Sequence, residues 1–282
     1  MANPKLIRMG AAAGALCLLV AASSAGYSPH VAEAAAQGAV TEVVNYTPPS
    51  PIANTEVMRL RDAMTAARAN DWFAVAAQRD QATDPVVRRL LQWRYATAST
   101  APMDFQPIAQ ALNDLQDWPG RATMRNRAER AIFTSGLPAS ERIAFLRQDN
   151  GPITGDGRIA LAQALADTGQ RSQANEIARA AWREDALTPV AEAAALASFS
   201  DVFTADDHAA RVAILLWRGE RTAAQRLFPR ISNADRLLAQ ARIALQTRQS
   251  RGLQAAVDAV PASHADDPGL LYDRTRYIRR SG

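Results

Sequence analysis

Gly169-Gln170-Arg171-Ser172-Gln173-Ala174-Asn175-Glu176-Ile177 recurs fifty residues later as Gly219-Glu220-Arg221-Thr222-Ala223-Ala224-Gln225-Arg226-Leu227. The shared pattern is Gly-x-Arg-x-x-Ala-x-x-(Ile/Leu). Each copy follows an apolar segment of helical period, Ile159 to Ala166 in the first case and Val212 to Trp217 in the second. Glycine stops a helix by entering the left-handed conformation at little cost. The alanine that follows lets the next helix lie close against the last. The expected unit is therefore a helical hairpin. One hairpin leaves an apolar face open, so neighbours must stack to cover it, which predicts an all-α chain built as an α-solenoid.

The same period extends in both directions. Val57, Leu60, Met64 and Ala67 fall on one face, and Val87, Leu90, Leu91, Tyr95 and Ala98 on another. Ala174, Ile177, Ala178, Ala181 and Trp182 make the best-formed stripe. Asp84-Pro85 and Thr188-Pro189 each set an acceptor at N-cap and a proline at N1. Thr204-Ala205-Asp206-Asp207 reads as a capping box with aspartate at N3. Gly136, Gly169 and Gly219 stand where helices should stop. Roughly twelve to fourteen helices of about 10–17 residues fit between Asn54 and Arg280, with no convincing strand. Composition agrees: 48% of residues are hydrophobic but only 6% aromatic, so alanine and leucine supply the apolar mass, as closely packed helices require.

Residues 1–34 read as a secretory signal. Lys5 and Arg8 precede an uncharged run from Gly10 to Ala22, and Ala32-Glu33-Ala34 fits the cleavage site. The run is shorter than the ~20 apolar residues a membrane span needs. The expectation is a periplasmic protein cut near Ala34, with no stable membrane insertion afterwards. A lipoprotein anchored through Cys17 is the competing reading, weakened by Leu16 where a lipobox wants a small residue. Cys17 is the sole cysteine, so no intrachain disulfide can form. Residues 35–53 carry Pro48, Pro49 and Pro51 and are expected as an extended linker, with the helical domain spanning 54–282.

Few residues invite chemistry. The histidines are His30, His208 and His264, without metal-ligand spacing. Asp206-Asp207-His208 reads as a helix N-terminus with acids on the positive end of the dipole. Gly151-Pro152-Ile153-Thr154-Gly155-Asp156-Gly157 is glycine-rich but lacks the lysine and strand of a phosphate cradle, and reads as a loop entering a helix at Arg158. Glu184-Asp185 and Asp266-Asp267 read as solvated acids at helix ends, lacking the apolar burial a glycosidase acid needs. Trp72, Trp93, Trp118, Trp182 and Trp217 read as core rather than as a sugar-stacking set. The expectation is that catalytic, cofactor-binding and metal-binding residues are all none, with no cofactor. The chain carries 32 basic residues against 28 acidic ones, and only Lys5 among the basic ones is lysine. Arginine forks suit carboxylates and phosphates alike. No basic–aromatic motif is apparent, so nucleic acid is not the expected partner.

Two stretches carry a family resemblance. The first runs through Asp84-Pro85-Val86-Val87, Leu90-Leu91-Gln92-Trp93, Phe105-Gln106-Pro107-Ile108, Asp117-Trp118-Pro119 and Arg127-Ala128-Glu129-Arg130-Ala131-Ile132. The second runs through Ala181-Trp182-Arg183, Asp207-His208-Ala209-Ala210-Arg211, Leu215-Leu216-Trp217, Ala241-Arg242-Ile243-Ala244-Leu245, Asp267-Pro268-Gly269-Leu270 and Tyr272-Asp273-Arg274. In order and spacing they resemble the N-terminal superhelical, U-shaped domain of soluble lytic murein transglycosylases of α-proteobacterial type. Such enzymes cleave peptidoglycan between N-acetylmuramic acid and N-acetylglucosamine, leaving a 1,6-anhydro end, without a cofactor. Their acid is a glutamate in a Glu-Ser motif of a C-terminal lysozyme-like domain followed by Gly-Leu-Met-Gln, and neither motif occurs here. The resemblance therefore implies a non-catalytic scaffold, truncated within the superhelix, whose parent enzyme meets peptidoglycan glycan strands. Its arginines are expected to face stem-peptide carboxylates. A stand-alone periplasmic adaptor of tetratricopeptide type, binding protein partners on a concave face, is the alternative.

Overall fold

Helix α1 (Asn54–Arg68) begins three residues beyond Pro51, where the prolines cease. The computed structural model describes residues 51–248 and 251–281. The expected signal, its cleavage point at Ala34, Cys17, His30 and the linker as far as residue 50 lie outside the described residues. After α1 come α2 (Trp72–Gln81), α3 (Pro85–Thr97), α4 (Phe105–Asp114), α5 (Arg121–Ala131), α6 (Ala139–Leu146) and α7 (Gly155–Asp167). The second half holds α8 (Arg171–Glu184), α9 (Pro189–Phe199), α10 (Ala205–Trp217), α11 (Arg221–Arg226), α12 (Asn233–Thr247), α13 (Leu253–Asp258) and α14 (Pro268–Ser281). The described residues hold these fourteen helices and no strand. No described helix is long and apolar enough to cross a membrane.

Three helices are shorter than the period suggested: α6 has 8 residues, α11 and α13 have 6 each. Proline is the reason in two of them. Pro229 would clash with the carbonyl of Gln225 if α11 continued, and Pro261 closes the segment after α13. The expected caps form. The Asp84 carboxylate accepts from the Val86 and Val87 N–H groups at 2.8 and 3.1 Å, and Thr188 accepts from Ala191 N. Thr204 and Asp207 exchange both bonds of a capping box.

The repeated motif makes the same turn twice. Gly169 and Gly219 have φ of +82° and +76°, and the next residue donates back five positions, Gln170 N to Leu165 O and Glu220 N to Leu215 O, each at 2.8 Å. A third copy joins α1 to α2. There Asn70 takes φ +59°, Asp71 N donates to Ala66 O at 2.9 Å, and Val75 fills the buried place of Ala174 and Ala224.

The strongest packing joins helices one or two places apart in the chain. Helices α1, α3, α5, α7 and α9 touch in succession, as do α8, α10, α12 and α14. A continuous buried cluster runs from Ala96 to Ile243, with smaller clusters at either end. Alanine lets the axes approach: Ala128, Ala160, Ala164, Ala174, Ala178, Ala181, Ala191 and Ala195 are all fully buried. Each large side chain locked between them is worth about 1.5–3 kcal/mol.

Polar ties fix the spacing of alternate helices. Glu56 on α1 receives the Thr83 hydroxyl at 3.2 Å and Asp84 N at 3.3 Å, just ahead of α3. Glu129 on α5 receives Ile153 N and Thr154 N, each at 2.9 Å, and the Thr154 hydroxyl, just ahead of α7. Asp156 on α7 receives Thr188 N at 2.9 Å and its hydroxyl at 2.7 Å, just ahead of α9. Each buried carboxylate thus neutralises donors that a helix start leaves orphaned. Arg127 acts at the other helix end, its two terminal nitrogens donating to the carbonyls of Tyr95, Ala96, Ala101 and Pro102.

Glu56 also shifts the register expected for α1. The inward positions are Glu56, Ala63 and Ala67, while Val57 is exposed. Burial alone would raise the Glu56 pKa, but the donors from Asp84, Thr83 and Arg59 outweigh it and hold the carboxyl below its ordinary value.

Candidate functional site

The glycine-rich loop at 151–157 does form an anion cradle, and its anion is the protein's own. The Glu129 side chain is fully buried; besides the loop donors it takes the Arg125 guanidinium at 2.8 Å. Gly157 permits this, because a β-carbon there would meet the Glu129 carboxylate. Gly155 likewise lets α7 approach the α8–α9 loop; its β-carbon would lie 2.7 Å from the Ala186 carbonyl. Glu129 already occupies the N–H donors of Ile153 and Thr154 that a bound anion would need.

Asp207 and His208 sit at the start of α10. Asp207 is buried, and burial works against its charge. The Thr204 amide and hydroxyl and the guanidinium groups of Arg183 and Arg179 outweigh that and hold its pKa below the usual carboxylate value. His208 packs edge-on to Trp182 at 5.6 Å between ring centres. Burial, helped by the positive charge of Arg230, lowers its pKa. No group of three or more His, Cys, Asp or Glu side chains that could hold a metal occurs among the described residues. Asp267 caps α14 by accepting from Leu270 N at 2.8 Å.

Asp185 departs from the expected solvated acid. It is half-buried, and that burial raises its pKa despite the Arg158 guanidinium 3.1 Å away. It does not line the nearby apolar groove of about 390 Å³, which Leu161, Ile177 and Ala180 form with Glu176 and Glu184 at its rim. Arg158, the partner of Asp185, lines that groove, but Asp185 itself does not.

The tryptophans divide. Trp72 and Trp182 are buried as expected, and Trp93 and Trp118 are half-buried against each other at 6.3 Å. Trp217 is not core: it is 52% exposed. It stands at the end of α10 beside Tyr272 of α14, with ring centres 5.1 Å apart and planes tilted by 45°. The helix period places it correctly on α10, but the chain turns at Gly219 before another element can cover it.

Those two rings mark the edge of a polar cleft of about 320 Å³ between the α10–α11 turn, the end of α12 and α14. Arg218, Arg221, Arg248, Arg276 and Arg280 line it, against the single carboxylate of Asp273. Asp273 is already engaged, accepting from Arg242 Nε and Gln246 Nε2, both at 3.0 Å. The Arg242 guanidinium is buried beneath Trp217, 5.1 Å from the ring centre, in space that only a glycine at position 269 leaves open. Arg218 is held by Glu220 at 2.6 Å. Arg221, Arg276 and Arg280 make no salt bridge among the described residues. A second hollow of about 270 Å³ continues the basic face along Arg276, Arg279 and Arg280. No basic–aromatic motif shows in the sequence because these residues come from four helices spread over more than sixty positions.

Comparison with family models, curated proteins and solved structures gives no match to this chain.

Proposed function

We propose that the chain is a non-catalytic, superhelical scaffold from a periplasmic peptidoglycan lytic transglycosylase, exported by residues 1–34 and cut near Ala34. The observation that carries the reading is the role of the motif residues behind the family resemblance. Phe105, Arg127, Glu129, Trp182, Asp207, Arg211 and Arg242 are all buried, and the five charged ones among them bond across to a neighbouring helix or the loop beside it. A set of helices joined mainly to near neighbours, with most of its buried carboxylates spent on helix starts, suits a frame better than a reaction centre. Under this reading the hairpins curl into a solenoid that presents glycan strands to a separate lysozyme-like domain.

Incubation of the purified chain with sacculi tests it. Retention without release of anhydro-muropeptides is expected. Release would overturn the non-catalytic assignment, and absence of retention would overturn the peptidoglycan assignment. N-terminal sequencing of exported protein should begin at Ala35.

A further inference from the structure

We infer that the cleft between α10, α12 and α14 is a binding site for a short peptide carrying two or more carboxylates. The inference goes beyond the scaffold reading and stands on the cleft alone. Five arginines face one carboxylate that Arg242 and Gln246 have already claimed. Like charges gathered in a cleft repel one another and raise the local concentration of anions. They approach from different sides, Arg221 on α11, Arg248 at the end of α12 and Arg276 and Arg280 on α14. One small anion would satisfy one side only. Two carboxylates on a short chain satisfy opposing sides.

Gln246 supplies the argument for a peptide. Its Nε2 donates to Leu216 O at 3.1 Å and to Asp273 Oδ2 at 3.0 Å. Both partners are acceptors, so the amide cannot be turned over. Its Oε1 is buried without a hydrogen-bond partner. An unsatisfied buried acceptor costs about 1–3 kcal/mol, and a small shift of the side chain toward the cleft it lines would let an incoming N–H remove that cost. A peptide brings backbone N–H donors between its carboxylates. A phosphodiester strand brings charge without N–H donors along its backbone. Exposed Trp217 and Tyr272 offer apolar contact to the methylene groups between the acids.

Calorimetric titration of the full chain tests the site, using an acetylated tetrapeptide with two glutamates and a free C-terminus. Replacing both glutamates by glutamine, or amidating the C-terminus, separates side-chain carboxylates of an acidic segment from the end of a peptide chain. Binding lost in either arm supports the site and identifies the source. Arg221→Gln with Arg276→Gln should weaken binding at least tenfold, since each lost charge-assisted bond is worth about a factor of ten. Both residues are exposed, so folding is spared. Arg61→Gln with Arg89→Gln, an equal charge change on α1 and α3, should leave affinity within about twofold. Equal weakening by the two pairs, undiminished binding of the neutral amidated peptide, or no binding of any peptide overturns the inference. So does tighter binding of a thymidine oligonucleotide of equal charge.

Discussion

Replacing Gly157 by alanine should destabilise the protein, although alanine favours a helix over glycine by about 1 kcal/mol. The added β-carbon meets the Glu129 carboxylate and lies 2.9 Å from Pro152 Cβ on the same loop. The carboxylate must retreat from Thr154 N at 2.9 Å and from the Thr154 hydroxyl. Hydrogen bonds to a charged group are worth about 1.5–3 kcal/mol each. Weakening two of them outweighs the propensity gain and leaves a net cost of about 2 kcal/mol. In a domain of this size that lowers the melting midpoint by roughly 4–8 °C. Glu129→Ala alone strands buried Arg125 without its partner and should cost about 3–5 kcal/mol. In that background the carboxylate has gone and only Pro152 on the loop must give way, so the helix propensity of alanine offsets most of the strain and Gly157→Ala should cost less than about 1 kcal/mol. Urea unfolding of the four proteins, followed by circular dichroism, gives the cycle. Costs that add to within about 0.5 kcal/mol would refute the account.

Two further outcomes follow from the turns and from the buried imidazole. Gly219→Ala forces a β-carbon into φ +76° and should cost about 1–2 kcal/mol, whereas Asn70→Gly at φ +59° should be neutral to within about 0.5 kcal/mol; equal effects in thermal unfolding would dismiss the shared turn. His208 has its folded pKa below the ordinary 6.5. Below about pH 6.5 the unfolded chain therefore binds a proton that the native state declines, and stability falls with pH. His208→Phe keeps the contacts to Trp182 and Phe203 and should flatten the decline in urea midpoint between pH 7.5 and 5.5. An unchanged slope would remove His208 from the explanation.

The all-helical class was legible because helix period and punctuation agree along most of the chain. Asp84-Pro85, Thr188-Pro189 and Thr204 to Asp207 cap by local geometry, so neighbouring residues suffice to read them. The third hairpin turn escaped notice because asparagine at position 70 replaces glycine, and valine at position 75 replaces alanine. The α1 face was misjudged by one position at its start because Glu56 points inward, and its donors lie 27 and 28 residues away. The same separation hid the purpose of Gly157, whose partner is on α5. The cleft was illegible for a further reason. Arginine at exposed helical positions is the commonest of signals, and only the meeting of α10, α12 and α14 turns five of them into one surface.

Glu56, Glu129 and Asp156 share a direction. In each case the acceptor precedes the backbone and threonine donors of the later helix start, by 24 to 32 residues. A polypeptide delivered amino-terminus first has each of these acids in the emerged chain before the donors of the next helix start follow. The next turn of backbone then docks on a finished template and need not wait for distant segments. Growth of the fold is in this sense vectorial, and a cut between acceptor and donor orphans only the junction where it falls.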